Sequence, residues 1–545
     1  MPRLLHGTVI RLDTVEVASA VLASDNPELA RALASALQTD LHAFDYLFPG
    51  LQNDDANLLP TSKQTRDDLV ALGRTMRDSG PTNSPIPAAY TYFGQFVDHD
   101  NTLETTSSGT GQTEGGLAGL LDENLEPLAL EAITDTLRNL RTGTLDLDTV
   151  YGPPAPRDGD EMELGIVTAL GNQPPPLARP ARAQDDPFQD LPREPRSSVD
   201  EHDRAALIGD PRNDENLIVA QLHVAFLRAH NELVRQGKRF AQAQRILRQH
   251  YQHIVVHDFL RRVADEHIVD NILQHGNKFY KPRQRGFFMP LEYTVASFRF
   301  GHTMVRGAYN FNLNFGFGRP GGPATLALLF TFTALKGELG FGEGTNTLPE
   351  NWIIEWENII DAGAGVPFNF TSRLDTQLVE PLFELRNLTG GIEPGDGARL
   401  AVRNLLRGYL LRMPTGQAVA RAMGRAPLTP AQIEAVADQV VPPAGEEAQV
   451  DVLRRTVFLE RTPLWYYILA EAAAPQTAGA GEAAGGGGER LGPVGSTLVA
   501  EVLIGLVRRS ADSILGRAHW QPSLPSTQPG TFELADLLRF AKVLA

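Results

Sequence analysis

A mainly α-helical fold, organised as a single large domain with few short strands and long loops, is what this sequence predicts, and three observations carry that prediction. Apolar residues recur at helical spacing over several long segments. Strand signals are confined to short runs such as 287–293. Of 545 residues, 42% are hydrophobic and 21% charged, the balance of a globular chain that can bury a sizeable core.

In chain order, 27–41 is predicted as an amphipathic helix, with Asn26 as its N-cap and Pro27 at its first position. In 86–98, Tyr90, Phe93 and Val97 share an apolar face, which places Gln95 and His99 together on another. Segments 217–235 and 245–267 have the composition of long, largely buried helices. Segments 296–305, 397–412 and 494–508 are further candidates. Two stretches interrupt the pattern. Residues 171–200, rich in Pro, Arg and Asp, are expected to wrap the surface as an extended connection. Residues 472–488 (AAAPQTAGAGEAAGGGG) are low in complexity and expected to form a mobile loop. There is no internal repeat. The expected organisation is a helical or extended segment, 1–84, packed on a catalytic domain, 85–545.

Composition narrows the function. A net charge of −17 argues against general nucleic-acid binding and against an anionic membrane surface as the main partner. The absence of cysteine removes disulfides, thiolate haem ligation, iron–sulfur clusters and Cys-based zinc sites. The first residues lack the apolar run of a signal peptide, and no stretch reaches the ~18–20 apolar residues of a membrane span, so a cytoplasmic location is the default expectation.

The segment Tyr92-Phe93-Gly94-Gln95-Phe96-Val97-Asp98-His99-Asp100 concentrates polar groups where its helix should end. A neutral imidazole there can take a proton from hydrogen peroxide and return it to the leaving oxygen. This Gln-x-x-Asp-His-Asp element resembles that of the animal haem peroxidases, of the peroxidase–cyclooxygenase superfamily. The resemblance implies haem b as cofactor, Gln95 as the amide and His99 as the acid–base group on the distal face, Asp98 as a carboxylate that can be ester-linked to the haem, and Asp100 as a calcium ligand. Gly209-Asp210-Pro211-Arg212-Asn213-Asp214-Glu215 is similar to the family's Arg-x-x-Glu element. It implies Arg212 as the catalytic arginine, which steadies negative charge as the O–O bond breaks, and Glu215 as a second ester carboxylate. Asn216 stands where the most heavily modified mammalian members carry a methionine, so a third, sulfonium link is not expected.

Phe298-Arg299-Phe300-Gly301-His302 resembles the proximal element, which implies His302 as the axial iron ligand and Arg299 as a partner of a haem propionate. Arg403-Asn404-Leu405-Leu406-Arg407 matches an Asn-x-x-Arg pattern. By it, Asn404 accepts a hydrogen bond from His302, fixing the ligand's tautomer, and Arg407 reaches a propionate. The loop Thr142-Gly143-Thr144-Leu145-Asp146-Leu147-Asp148 offers oxygen groups at every second residue, as a hard cation requires. The resemblance implies calcium held by Asp100, Thr142, the Thr144 carbonyl, Asp146 and Asp148. Thr462-Pro463-Leu464-Trp465-Tyr466 and Leu491-Gly492-Pro493-Val494-Gly495 look like bacterial members, extending the likeness from about residue 85 to the end. His250, His253 and His257 have metal-ligand spacing, but no Glu completes a hydrolytic zinc motif and their apolar neighbours indicate packing.

The implied activity is a peroxidase. It reduces hydrogen peroxide through a ferryl haem and oxidises a halide, thiocyanate or small aromatic donor. A fatty-acid dioxygenase of the same superfamily is the main alternative. Those enzymes place a radical-forming tyrosine three residues before the proximal histidine, where this chain has Arg299, and Tyr293 and Tyr309 lie at other spacings. A non-catalytic calcium-binding adhesion module is opposed by the presence of Gln95, His99, Arg212 and His302.

Overall fold

A computed structural model describes residues 10–11, 42–78, 80, 82–106, 119–169, 186–198, 203–282, 287–334, 339, 346–363, 365–385, 392–475, 487–516 and 520–545. The predicted helix 27–41 lies outside them, as do most of 171–200 and of the 472–488 loop. Among the described residues helices dominate, and β-structure is limited to short pairings. Strands β1 (Ile10–Arg11), β2 (His42–Asp45), β3 (Glu104–Thr106), β4 (Leu137–Asn139) and β5 (Phe288–Pro290) form one sheet in the order β1-β3-β4-β2-β5. The strand predicted over 287–293 is thus real but ends at Pro290.

Among the described residues the helices of ten or more residues are α1 (Lys63–Arg74), α2 (Ala89–Asn101), α3 (Leu217–Arg235), α4 (Phe240–Ile254), α5 (Glu266–His275), α6 (Leu400–Leu410), α7 (Leu464–Ala473) and α8 (Pro493–Arg509). Helix α3 matches its predicted span, and every residue from Leu217 to Asn231 is buried. Its start is set by Asn216, whose side chain accepts from the Val219 amide. Helix α2 begins three residues later than expected, after Pro85 and Pro87, because a proline disfavours helical backbone in the residue before it. It also runs three residues further, and the Asn101 amide donates back to the Val97 carbonyl. The Phe96 ring of α2 stacks on Phe226 of α3, centroids 4.6 Å apart, so the helix bearing His99 is registered on the most buried helix of the chain.

Two predicted helices differ. The segment 245–267 is not one helix: α4 passes into a π-helical turn, Val255–Phe259, and a last α-turn, Leu260–Val263. The chain then breaks, and Asp265 caps α5 by accepting from the His267 and Ile268 amides. The segment 296–305 forms no α-helix. A π-turn, Glu292–Ala296, leads into a 3-10 helix, Ser297–His302, with Ala296 outside the helical region at φ −126°, ψ −71°. Contacts with the rest of the fold hold this geometry. Glu292 accepts from the Leu47 and Phe48 amides, and Trp465 donates to the Arg299 carbonyl. Because residues three apart align on a 3-10 helix, Arg299 and His302 share a face.

A single hydrophobic cluster runs from Phe44 to Leu544. No helix among the described residues is long and apolar enough to cross a membrane. The histidines of α4 are part of the packing. His250 donates from Nδ1 to the Ile246 carbonyl and accepts at Nε2 from the Ser523 and Leu524 amides. Burial pushes its pKa down to about 4. A histidine depressed in the fold supplies stability that is complete above its unfolded pKa of about 6.5 and is lost as pH falls toward the folded value. Lowering the pH from 7 to 5 should therefore cost about 2 kcal/mol through His250. Urea titrations of the wild type and His250→Gln at both pH values check this: the variant's acid sensitivity should be smaller by about that amount.

Candidate functional site

Between α2, the turn that precedes α3, α6 and the 3-10 helix Ser297–His302 lies a cavity of about 1590 Å³, counting its open mouth. Its apolar wall comes from distant parts of the chain, including Phe44, Phe259, Phe298, Leu326, Leu382 and Leu400. Set into that wall are Gln95, Asp98, Glu104, Arg212, Glu215, Asn216, Arg299, His302 and Arg403. Such a surface suits a large, mostly apolar cofactor carrying a few charged groups.

On the α2 side, Gln95 accepts from the Asn216 amide at 2.9 Å and donates to Glu215 at 3.5 Å. Asp98, one turn before the helix end, accepts from the Thr102 hydroxyl. Arg212 sits in a 3-10 turn, Pro211–Asp214, whose N-cap Asp210 accepts from the Arg212 amide. The same carboxylate binds the Arg212 guanidinium through Nε at 3.0 Å and Nη2 at 2.7 Å, and also pairs with Arg141. Burial opposes ionisation of Asp210, but Arg212 and Arg141 outweigh it and hold the carboxyl well below the usual range. Arg212 further donates to the Thr102 and His99 carbonyls at the end of α2. His99 lies one layer behind the cavity wall, fully buried, with Nδ1 2.8 Å from Asn213 Oδ1. Burial, then the Arg212 charge, lowers its pKa, so the ring is neutral at neutral pH.

On the opposite side in sequence, His302 Nδ1 lies 2.8 Å from Asn404 Nδ2. The sequence led to Asn404 as an acceptor from His302, and here the amide has the reverse orientation. Asn404 Oδ1 instead accepts from Arg299 Nη1 at 2.8 Å. Arg299 also donates to the Thr294 carbonyl. Arg407 is absent from the cavity wall and pairs instead with Glu104, which does line it. Arg403 takes a wall position. It donates from Nε to the Gly397 carbonyl, while its buried Nη2 has no partner among the described residues.

The 142–149 loop folds around Asp100. Leu147 adopts the left-handed conformation (φ 59°), which turns its own amide and that of Thr149 onto the two Asp100 oxygens. Asp148 accepts from the Thr142 amide, and the hydroxyls of Thr142 and Thr144 are linked. Burial, with Asp148 nearby, raises the Asp100 pKa, and burial raises that of Asp148: two carboxylates meet as buried like charges. Asp146 accepts from the Thr144 hydroxyl through Oδ2 and from Ser510 and Gln252 through Oδ1. No group of three or more His, Asp or Glu among the described residues is close enough to hold a metal ion.

Sequence reasoning did not single out Asn213, Glu104 or Arg403. Asn213 occupies an unspecified position inside a motif. Arg403 adjoins Asn404 and was quoted without a role. Glu104 sits in a short strand with no surrounding pattern.

The animal haem peroxidase family model matches residues 134–320. A peroxidase-like protein of Margaritifera margaritifera is 26% identical over 298 residues, 47% of this chain and 36% of that protein, so the match spans about a third of the relative's length. Peroxidase A from Dictyostelium discoideum superposes with a TM-score of 0.56 at 16% identity, covering 93% of this chain and 94% of that one. Oryza sativa fatty acid alpha-dioxygenase gives 0.51 at 10% identity, covering 89% and 78%. The likeness to these two proteins, at such low identity, is one of fold. Within this chain, residues 134–320 resemble the animal haem peroxidase family.

Removing the Asp210 charge should leave Arg141 and Arg212 as uncompensated buried cations. Asp210→Asn is expected to lower stability by about 3–5 kcal/mol, measured as a shift of the denaturant midpoint at constant slope.

Proposed function

We propose that this chain is a peroxidase that binds haem b through His302 and uses His99 and Arg212 to cleave hydrogen peroxide, oxidising a halide, thiocyanate or small aromatic donor. The observation that carries the proposal is one cavity in which a histidine backed by an amide, His302–Asn404, meets Gln95, Asp98, Arg212 and Glu215. The catalytic unit is taken as 85–545, with Phe44 of the preceding segment supplying part of the wall.

The residues fit haem. The wall is apolar, a histidine lines it, and Arg403 presents a buried guanidinium nitrogen without a partner that an acidic cofactor edge would satisfy. When bound, the haem supplies the iron that receives peroxide and the electrons that reduce it. Ligation through His302 Nε2 requires a proton on Nδ1 and an acceptor for it. A cofactor carboxylate that takes over Arg299 releases Asn404 Oδ1 for that role. His99, neutral because of its burial, accepts the proton of the attacking oxygen and hands it to the leaving one, which departs as water. Arg212, held cationic by Asp210, steadies the negative charge as the O–O bond breaks. Gln95, already fixed between Asn216 and Glu215, orients water or a halide. Asp98 and Glu215 are the carboxylates available for ester links, and Asn216 offers no sulfur for a third. Calcium between Asp100 and Asp148, with Thr142 and Thr144 supplying oxygens, would relieve the like charges beside His99. Asp146, whose Oδ2 already meets the Thr144 hydroxyl, would join them.

The dioxygenase reading has one supporting feature. Tyr92 lines the cavity and donates to the Tyr309 hydroxyl at 2.9 Å. Against it stands Arg299 at the position of the radical tyrosine. Oxygen uptake on adding a long-chain fatty acid, abolished in Tyr92→Phe, would favour it over the peroxidase.

Reconstituted holoprotein should show a Soret shift within seconds of adding hydrogen peroxide, slowed about 10²–10³-fold in Arg212→Leu. An unchanged spectrum in the wild type would refute the proposal. Acid–organic extraction should leave haem on the protein once esters form, and Asp98→Val with Glu215→Gln should release it. Prolonged dialysis against a calcium chelator should lower the melting temperature by several degrees, and Asp148→Asn should abolish that sensitivity.

A further inference from the structure

We infer that Asn213 is the positioning residue that sets the ring tautomer of His99: its carbonyl oxygen takes the Nδ1 proton and leaves the lone pair on Nε2. This rests on the peroxidase reading, and it supplies what that reading leaves open. A neutral imidazole can accept a proton only at its unprotonated nitrogen. A buried His99 of the wrong tautomer would be useless as a base.

The Asn213 amide is held from three directions. Oδ1 lies 2.8 Å from His99 Nδ1, while Nδ2 is 2.5 Å from Thr149 Oγ1 and 2.9 Å from His223 Nδ1. The amide's two N–H groups thus have two acceptors and its oxygen has one donor. His223 is fully buried, and burial pushes its pKa down to about 3, so it stays neutral and can offer a lone pair at Nδ1. The backbone of Asn213 is equally constrained. Its amide donates to the Asp210 carbonyl, Arg212 before it is fixed by Asp210, and Asp214 after it is paired with the buried Arg193 at 2.6 Å. Thr149, which receives the Asn213 amide, also donates from its backbone to Asp100, the neighbour of His99 in sequence. Asn213 therefore joins the turn that carries Arg212 to the helix end that carries His99. The reversed amide would bring N–H groups to His99 Nδ1, forcing its proton to Nε2 and requiring His223 Nδ1 to donate.

The substitutions separate the two ends of the amide. Asn213→Asp keeps an oxygen for His99 Nδ1–H and loses both N–H donors, whereas Asn213→Ala loses everything. Imidazole ¹⁵N NMR of the full chain, without haem and as the diamagnetic ferrous–carbonyl form, reads the tautomer directly, the His99 signals being assigned by their loss in His99→Gln. We expect protonated Nδ1 and unprotonated Nε2 in the wild type and in Asn213→Asp, and a mixture in Asn213→Ala. In stopped flow, the peroxide-dependent Soret change should slow about 10²-fold in Asn213→Ala and only a few-fold in Asn213→Asp. The later return of the spectrum on adding donor should keep its wild-type rate in both. A proton on Nε2 in the wild type overturns the inference, as does Asn213→Ala reacting within two-fold of the wild type. Equal losses in Asp and Ala variants would assign Asn213 a structural role and overturn it too. Should Asn213→Ala fail to fold, the wild-type NMR and Asn213→Asp still decide. If wild-type holoprotein ignores peroxide, the peroxidase reading fails while the tautomer measurement stands by itself.

Discussion

Asp210 is the buried charge on which the site's geometry depends. Its carboxylate caps the turn that displays Arg212, neutralises that arginine and also holds Arg141. Arg141 leads into the 142–149 loop and donates to the Gly209 carbonyl. Arg212 reaches the carbonyls of His99 and Thr102 at the end of α2. One anion thus links the loop around Asp100, the turn before α3 and the terminus of the helix that bears His99. Two guanidiniums around one carboxylate are stable in a dry core only because each makes further hydrogen bonds to carbonyls. The outcome is an arginine whose charge and position are both fixed before any substrate arrives.

The packing beneath this cluster serves the same end. Helix α3 is buried on nearly all sides and cannot shift without disturbing the main core. Phe96 stacks on its Phe226, and Gly94 lets the Phe259 ring come close to α2, where a Cβ would stand 3.2 Å from that ring. Helix α2 is therefore set against α3 by aromatic contact on one face, while Gln95 and Asp98 look onto the cavity. Hydrophobic packing fixes the helices, and the polar network then fixes angles that packing alone leaves soft.

Much of this was legible in the sequence where the signal is periodic or chemically unusual. The span of α3 and the pairing of His302 with Asn404 follow from spacing and motif, whereas Gln95 and His99, expected on one helix face, are separated: Gln95 lines the cavity and the buried His99 does not. What spacing could not give is backbone geometry imposed from afar. The 3-10 form of 297–302 depends on Glu292 holding the Leu47 and Phe48 amides and on Trp465 reaching the Arg299 carbonyl. Nothing within 296–305 encodes those contacts. Arg407 looked equivalent in pattern to a cavity residue, but Glu104, 303 residues earlier in the chain, claims it. Asn213 was hidden for a different reason: a motif names the residues that repeat and is silent about the positions between them.

The orientation of Asn404 shows why a histidine and an amide side by side do not by themselves define an iron ligand. With Oδ1 on Arg299, the amide offers His302 Nδ1 a donor. That favours the tautomer protonated at Nε2, which cannot ligate a metal through that nitrogen. Asn213 is in the opposite position, because Thr149 and His223 occupy its donor end and leave its oxygen for His99. The two histidines are thus prepared differently. His99 is held by Asn213 within the protein, whereas the tautomer of His302 is tied to what Arg299 binds. An anionic group that drew Arg299 away would release the acceptor that a metal-ligating His302 needs, so binding at Arg299 and the tautomer of His302 are coupled through a single amide.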